Sequence, residues 1–136
     1  MRAGSLGIGI VVPQATSPTF IGNFAYIQDG FFNVTATSRY GLVGQVVSDG
    51  TSKVAGLADY NERQVALTPA VTLARTYAAD AGNAGRSTMQ LTINGAATAN
   101  HLTMYQASSA LVLHVDVDSR AIQTGIIGFG VFEQQQ

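Results

Sequence analysis

The sequence has no cysteine and no tryptophan, and charged residues make up only 11% of its 136 positions. Without cysteine, disulfides, thiolate metal sites and thiol nucleophiles are excluded. The longest apolar runs fall far short of the roughly 20 residues that a membrane-spanning helix needs, so we expect no membrane association. A length of 136 residues corresponds to one domain.

Charge is scarce compared with the roughly 25% of an ordinary soluble domain. The composition fits either a stable secreted or viral β-domain, or a protein whose surface is largely covered by copies of itself or by a partner lattice. Low charge favours the second interpretation because it reduces the desolvation cost of forming an interface. We therefore predict an oligomer, most simply a homotrimer.

Basic residues form no cluster. Lys53 is the single lysine, six arginines are spread singly from Arg2 to Arg120, and the net charge is −1. A protein that neutralises several phosphates needs a patch of lysine and arginine. We therefore predict that the chain does not bind nucleic acid.

The clearest pattern lies between Ala110 and Phe132. Within it, Leu111, Leu113, Val115 and Val117 alternate with Val112, His114, Asp116 and Asp118. A period of two predicts a strand with one face buried. A second apolar run, IIGFGVF, follows a short polar connection and predicts a partner strand. It also shares a Gly-apolar-apolar-Gly spacing with the run that begins at Gly41, which indicates two equivalent strands where glycine permits close backbone approach.

Further apolar runs are separated by turn signals. Asp29-Gly30, Asp49-Gly50 and Asn94-Gly95 each predict a turn. Residues 64–81 are ambiguous: the alternation favours a strand, in which Pro69 would mark an edge or bulge, while Thr68-Pro69 also fits the start of a helix. Seven to nine short strands predict an all-β fold, an antiparallel β-sandwich, jelly roll or small barrel with at most one short helix.

The N-terminal segment resembles a detachable arm. Leu6, Ile8, Ile10 and Val12 share one parity of an extended segment, and Pro13 to Pro18 is a linker by composition. We expect residues 1–18 to form an arm and linker, and residues 19–136 to form a single β-domain. The four apolar residues are predicted to bind a neighbouring chain by strand addition.

His114, Asp116 and Asp118 share one face of the predicted C-terminal strand. An imidazole and two carboxylates are possible ligands of a divalent metal, but nothing in the sequence supplies the remaining ligands. We therefore expect no metal here and interpret the face as a polar strand edge or a subunit contact. Phosphate-loop and nucleophile-elbow motifs are absent from the sequence, so we expect no cofactor and no enzymatic activity.

The chain resembles the small head decoration (cement) proteins of tailed bacteriophages. The resemblance covers the whole chain through its length, its cysteine-free, Gly/Ala/Thr-rich and charge-poor composition, its extended N-terminal segment and runs such as GLVGQVVSDGTSKVAG. It implies a trimer on the exterior of the capsid that clamps neighbouring major capsid subunits. The alternatives are a receptor- or sugar-binding β-domain of a tail fibre or cell surface, and a small-virus coat protein.

Overall fold

A computed structural model describes residue 13 and residues 19–32, 38–62, 65–94, 100–117 and 126–136. Eight strands make up the described fold: β1 (Ile21–Phe32), β2 (Ser38–Asp49), β3 (Lys53–Glu62), β4 (Val65–Ala79), β5 (Arg86–Ile93), β6 (Asn100–Gln106), β7 (Leu111–Val117) and β8 (Ile126–Gln134).

The eight strands form one closed antiparallel barrel in which each strand pairs with the next along the chain. β8 closes the barrel by pairing with β1, with Phe24 opposite Gln134 and Phe32 opposite Ile126. The predicted all-β class is therefore confirmed, and the barrel is the form it takes. The predicted pairing of the two C-terminal strands is also confirmed.

The barrel has two ends, which we call the first and the second. At the first end β1 begins, and the three connections 50–52, 80–85 and 107–110 are short and described. At the second end β2, β4, β6 and β8 begin. Residues 33–37, 63–64, 95–99 and 118–125 lie outside the described residues.

Inward-facing side chains alternate with outward-facing ones, as a barrel requires. The rings of Phe20, Phe24 and Phe132 pack together towards the first end, with centroids 4.6 and 5.3 Å from that of Phe20. The buried apolar core consists of Phe20, Phe24, Tyr26, Tyr40, Leu42, Val46, Val54, Ala58, Val71, Leu73, Met89, Leu91, Leu102, Met104, Val112 and Phe132. Phe20 thus belongs to the core, one residue before β1 begins.

The ambiguous segment 64–81 contains a strand, β4, so the strand interpretation is confirmed. The pairing with β3 shifts its register between Ala58–Val71 and Tyr60–Thr68, which leaves an extra residue on β4 around Pro69 and Ala70. Proline has no N–H to donate, and Ala70 has a φ of +53°. The proline therefore lies at a bulge, as its position in the alternation predicts.

Asp29-Gly30 is not a turn, contrary to the sequence prediction. β1 continues through both residues, and Gly30 pairs with Tyr40 on one side and Gly128 on the other. Ladder pairing on both sides overrides the local turn preference of this dipeptide. The turn predicted at Asp49-Gly50 is confirmed, because Asp49 ends β2 and Gly50 has a φ of +77°.

The buried face of β7 is also opposite to the expected one. Val112, His114 and Asp116 point into the barrel, whereas Val115 is exposed and Leu113 is only half-buried. The apolar residues Leu113 and Val115 therefore lie on the outer wall, and the polar residues His114 and Asp116 lie in the interior. The alternation correctly predicts the strand but not its orientation.

Candidate functional site

Five large side chains fill the interior towards the second end: Tyr26 and Gln28 on β1, Tyr40 on β2, and His114 and Asp116 on β7. We call them the inner polar cluster; each is at most 4% exposed. The Tyr26 hydroxyl donates a hydrogen bond to Gln28 Oε1, and Gln28 Nε2 donates one to the Tyr40 hydroxyl oxygen at 2.7 Å. One glutamine therefore joins two tyrosines from neighbouring strands in a chain of buried hydrogen bonds.

His114 packs between aromatic rings. Its ring stacks on Tyr26 with centroids 5.5 Å apart and lies 5.1 Å from the ring of Phe132. Neither ring nitrogen forms a hydrogen bond of normal geometry, although the ring lies near the Ile27 carbonyl. Burial lowers the pKa of His114 to about 4, an effect only partly opposed by that carbonyl, so the imidazole is neutral at pH 7.

The tyrosines of the cluster are also held in their neutral form. Burial raises the pKa of both Tyr26 and Tyr40, and the negative charge of Asp116 raises it further. A neutral, buried tyrosine can act as a hydrogen-bond donor. The Tyr26 hydroxyl already donates its proton to Gln28 within the cluster. The geometry is that of a buried polar network that fixes side chains in place.

Glycines on β8 provide room for this cluster. A Cβ atom at Gly128 would lie 2.6 Å from the Tyr40 hydroxyl, and one at Gly130 would lie 2.6 Å from His114 Nε2. The sequence similarity between the runs at Gly41 and Gly125 has a structural counterpart, since β2 and β8 are the two neighbours of β1. At Gly44 on β2, a Cβ would lie 2.1 Å from the Leu57 carbonyl oxygen, so close backbone approach is confirmed there as well.

The outer wall carries an apolar surface, which we call the outer apolar band. Its members are the large apolar side chains that remain exposed on β6, β7, β8, β1, β2 and β3, which are contiguous around the barrel. They are Ile21, Ile27, Val43, Val47, Leu57, Tyr105, Val115 and Phe129, with exposed fractions from 37% to 68%. Phe129 is the most exposed.

Two hollows interrupt this wall beside the protruding side chains. The first, of about 410 Å³, is lined by Asp29, Arg39, Tyr40, Gly41 and Asn61. Arg39 Nε donates a hydrogen bond of 2.9 Å to Asp29 Oδ1, and Arg39 Nη2 donates one to Asp29 Oδ2. The guanidinium group is therefore paired with Asp29 of the adjacent strand β1. The second hollow, of about 380 Å³, lies farther along β2 and β3, between Val43 and Leu57.

The residues predicted as sites fall in different places. His114 and Asp116 lie together inside the barrel, away from the outer wall where another subunit would dock, and Asp118 lies outside the described residues. The arm residues Leu6, Ile8, Ile10 and Val12 also lie outside them. Within the described ranges, no group of three or more His, Cys, Asp or Glu side chains is arranged to hold a metal ion.

Neither the inner polar cluster nor the outer apolar band was predicted from the sequence. Tyr26, Gln28 and Tyr40 are distant in sequence from His114, and only the closing of the barrel brings them together. The outward alternation Gly41, Val43, Gln45, Val47 is visible in the sequence and carries the signal of the band. The alternation alone does not distinguish this outward face from an inward one, because both parities of β2 contain apolar residues.

Comparisons with known proteins identify no relative: no family model, no curated protein and no solved structure matches the chain. Over the described part of the molecule, no helix has the length and apolarity needed to cross a membrane. The function is therefore argued from the surfaces described above.

Proposed function

We propose that this protein is a non-catalytic assembly subunit that binds other protein surfaces through its outer wall. The observation that carries the proposal is the outer apolar band. Exposed apolar patches larger than a few hundred Å² are rare on soluble monomers and mark interaction surfaces. Here eight large apolar side chains, each 37% to 68% exposed, are spread over contiguous strands.

The specific form of this function is the one implied by the resemblance, a head decoration protein on the exterior of a capsid. The partners would be other copies of the chain and a major capsid protein. The charge-poor composition supports this proposal, since a surface that is buried in a lattice loses little charge solvation. A closed barrel filled by side chains also suits a rigid subunit.

The closed barrel restricts how the arm at residues 1–12 would bind. Strand addition requires a strand with an unpaired side, and each of the eight described strands is paired on both sides. The arm would therefore pair with a different protein that has an open sheet edge, such as a capsid subunit, rather than with another copy of this barrel.

The proposal predicts that a major capsid protein is encoded beside this chain, and the test is co-sedimentation with shells assembled from that protein. We expect the full-length protein to sediment with intact shells and Phe129→Lys to lose most of the bound fraction. Gln90→Lys is the matched control, because Gln90 is exposed on β5, a strand outside the band. Absence of binding by the native protein, or equal loss in both variants, would contradict the proposal. A chain that starts at Thr19 tests the arm: it should keep a cooperative melt and lose shell binding.

A further inference from the structure

The outer wall around β1 has a pattern that matches itself when the molecule is turned by 180°. The register places Phe129 of β8 on one side of Asp29 and Gly41 of β2 on the other, in a single row across the three strands. Phe129 is 68% exposed, and Gly41 forms the floor of the 410 Å³ hollow. A protruding ring and a recess thus lie at equal distances from β1.

We propose that a second copy of this chain docks on this wall, related by a two-fold axis that runs parallel to β1. Such an axis places each position on β8 of one copy over the matching position on β2 of the other. Phe129 of each copy then enters the Gly41 hollow of its partner, and both contacts form at once. Interfaces of this kind, in which one patch pairs with itself, are the commonest in soluble oligomers.

The neighbouring rows agree with the same axis. In the row of Ile27, the outward residues are Val131 on β8 and Val43 on β2, so valine meets valine and Ile27 meets its own copy. In the row of Ala25, the outward residues are Glu133 and Gln45, a carboxylate and an amide that can form a hydrogen bond. Small and apolar side chains occupy the axis in both rows.

The flanking strands follow the same pattern in one row and depart from it in two. In the row of Asp29, Val115 of β7 would meet Asn61 of β3, an apolar–polar pair. Leu111 of β7 and Leu57 of β3 lie in the row of Ala25 and would meet across the axis. In the row of Ile27, Leu113 would meet Asp59, an apolar–charged pair. Because the wall of a barrel curves away from a flat contact, these outer strands form the rim, where solvent remains accessible to Asp59.

Charge also permits the contact. The described charged groups near the axis are Asp29, Arg39 and Glu133. Asp29 and Arg39 neutralise each other through two hydrogen bonds within one copy, and the Glu133 carboxylate would accept a hydrogen bond from the Gln45 amide of the second copy. Each charge would therefore have a partner, which reduces the cost of burying it.

The expected interface is small. The three central strands, about 4.8 Å apart, and six residues at about 3.4 Å each give a flat contact of roughly 15 by 20 Å, to which the curved rim adds little. Specific interfaces at the low end of the observed range bury on the order of 1,000 Å² in total, which corresponds to transient complexes. We expect a dimer that dissociates at micromolar concentration. This proposal rests on the outer wall being the docking surface, and it gives a dimer where the resemblance implied a trimer.

Sedimentation equilibrium of the full-length protein tests the proposal. We expect a monomer–dimer equilibrium, with Phe129→Ala and Gly41→Val each raising the dissociation constant by about tenfold or more. Gly41 tolerates the substitution in the fold, because an added Cβ would meet only the Gln28 carbonyl oxygen at 3.9 Å. The double variant should show little further loss, since both changes remove one contact. Gln90→Ala is the control and should leave the equilibrium unchanged.

A cross-linking experiment fixes the position of the axis. The chain lacks cysteine, so Ile27→Cys introduces a unique thiol that would face its own copy. A short bis-maleimide reagent should give a covalent dimer with Ile27→Cys and none with Gln90→Cys. The proposal would be overturned by a monomer at all concentrations or by a trimer. It would also be overturned if the effects of the two interface substitutions were additive, or if the Ile27→Cys thiol were shielded from reagents and yet did not cross-link. Shell binding by a protein that forms no dimer would contradict the dimer and leave the proposed function supported. A dimer that does not bind shells would contradict the proposed function and leave the dimer supported.

Discussion

The two halves of the barrel interior differ in chemistry. Towards the first end, the rings of Phe20, Phe24 and Phe132 pack against one another, and the connections are short turns. Towards the second end, tyrosine, glutamine, histidine and aspartate fill the same inner space. Stability of the half at the first end depends mainly on aromatic contact area, with a buried hydrogen bond from Ser48 Oγ to the Phe20 carbonyl oxygen, whereas stability of the polar half also depends on protonation and on space provided by glycine. The predictions below separate these two dependences.

The largest effect is expected from Phe132→Ala, because Phe132 is fully buried and contacts aromatic rings from both halves. Removal of a buried phenylalanine leaves a cavity, and the free energy of unfolding should fall by about 3–5 kcal/mol. Urea denaturation of dilute protein measures it. Phe129→Ala, on the outward parity of the same strand, is the control and should change stability by less than about 0.5 kcal/mol. Similar losses in both variants would contradict the assigned orientation of β8.

The polar half should make the protein sensitive to acid through His114, whose folded pKa of about 4 lies below the ordinary value of 6.5. The unfolded chain then binds a proton before the folded chain does. The stabilisation is complete above about pH 6.5 and is lost as the pH falls towards 4, by up to about 3 kcal/mol. The rings of Tyr26 and Phe132 pack against the imidazole, and the Ile27 carbonyl lies near it.

Denaturation at several pH values between 7 and 4 measures this loss. His114→Gln should have a flatter profile over that range, whatever its stability at pH 7. The carboxyl groups of Asp29, Asp49 and Asp80 have pKa values lowered by hydrogen bonds. Their contributions are lost as the pH falls through values below 4, so the two ranges are distinguishable. An unchanged slope in His114→Gln would show that the histidine is not the responsible group.

Gly130→Ala should destabilise the polar half by crowding. The added Cβ would lie 2.0 Å from the Ile27 carbonyl oxygen and 2.6 Å from His114 Nε2, so the backbone of β1 or β8 must move. Overpacking of this kind costs about 1–3 kcal/mol. Gly41→Ala is the matched control on the other neighbour of β1 and should be nearly neutral, as judged by thermal unfolding of both variants. Equal effects of Gly130→Ala and Gly41→Ala would show that His114 does not fill the space beside Gly130.

The smallest effect is expected from the turn at the first end. Asp49 Oδ1 accepts hydrogen bonds from the backbone N–H groups of Thr51, Ser52 and Lys53 at 2.8–2.9 Å. Asp49→Ala removes these bonds at an exposed site and should lower the melting temperature less than Phe132→Ala or Gly130→Ala. Asp49→Asn keeps an acceptor oxygen and should lie between the native protein and the alanine variant. A melting temperature of Asp49→Asn below that of Asp49→Ala would show that the oxygen does not stabilise the turn.

The existence of strands was predictable from sequence because alternation and turn residues are local signals. β7 and the bulge at Pro69 were both recognised in this way. The orientation of β7 was not, because the rule that apolar residues face inward fails when His114 and Asp116 are accommodated by Gly130 and Gly128 opposite them. That accommodation depends on register between distant strands, which the sequence of one strand does not contain.

The candidate sites were less predictable than the fold for the same reason. Gln28 joins Tyr26 and Tyr40 only because β1 and β2 pair in one particular register. The Asp29-Gly30 dipeptide was predicted as a turn from its local propensity. That propensity contains no information about the strands β2 and β8 that pair with it on either side. The shortage of charge predicted an oligomer, and this stays a prediction; the described structure exposes large apolar side chains on the outer wall, where such a contact would form.

The order of strands also bears on how the chain reaches its folded state. Each of the seven pairings from β1–β2 to β7–β8 joins neighbours in sequence, so these hairpins can form locally. The pairing of β1 with β8 joins Phe24 to Gln134 and must wait until the two ends of the sheet meet. Because non-local contacts cost loop entropy before they return energy, we expect this seam to limit the folding rate. Gly130, which makes room for His114, lies along it, so closure of the barrel and burial of the imidazole would occur in one step.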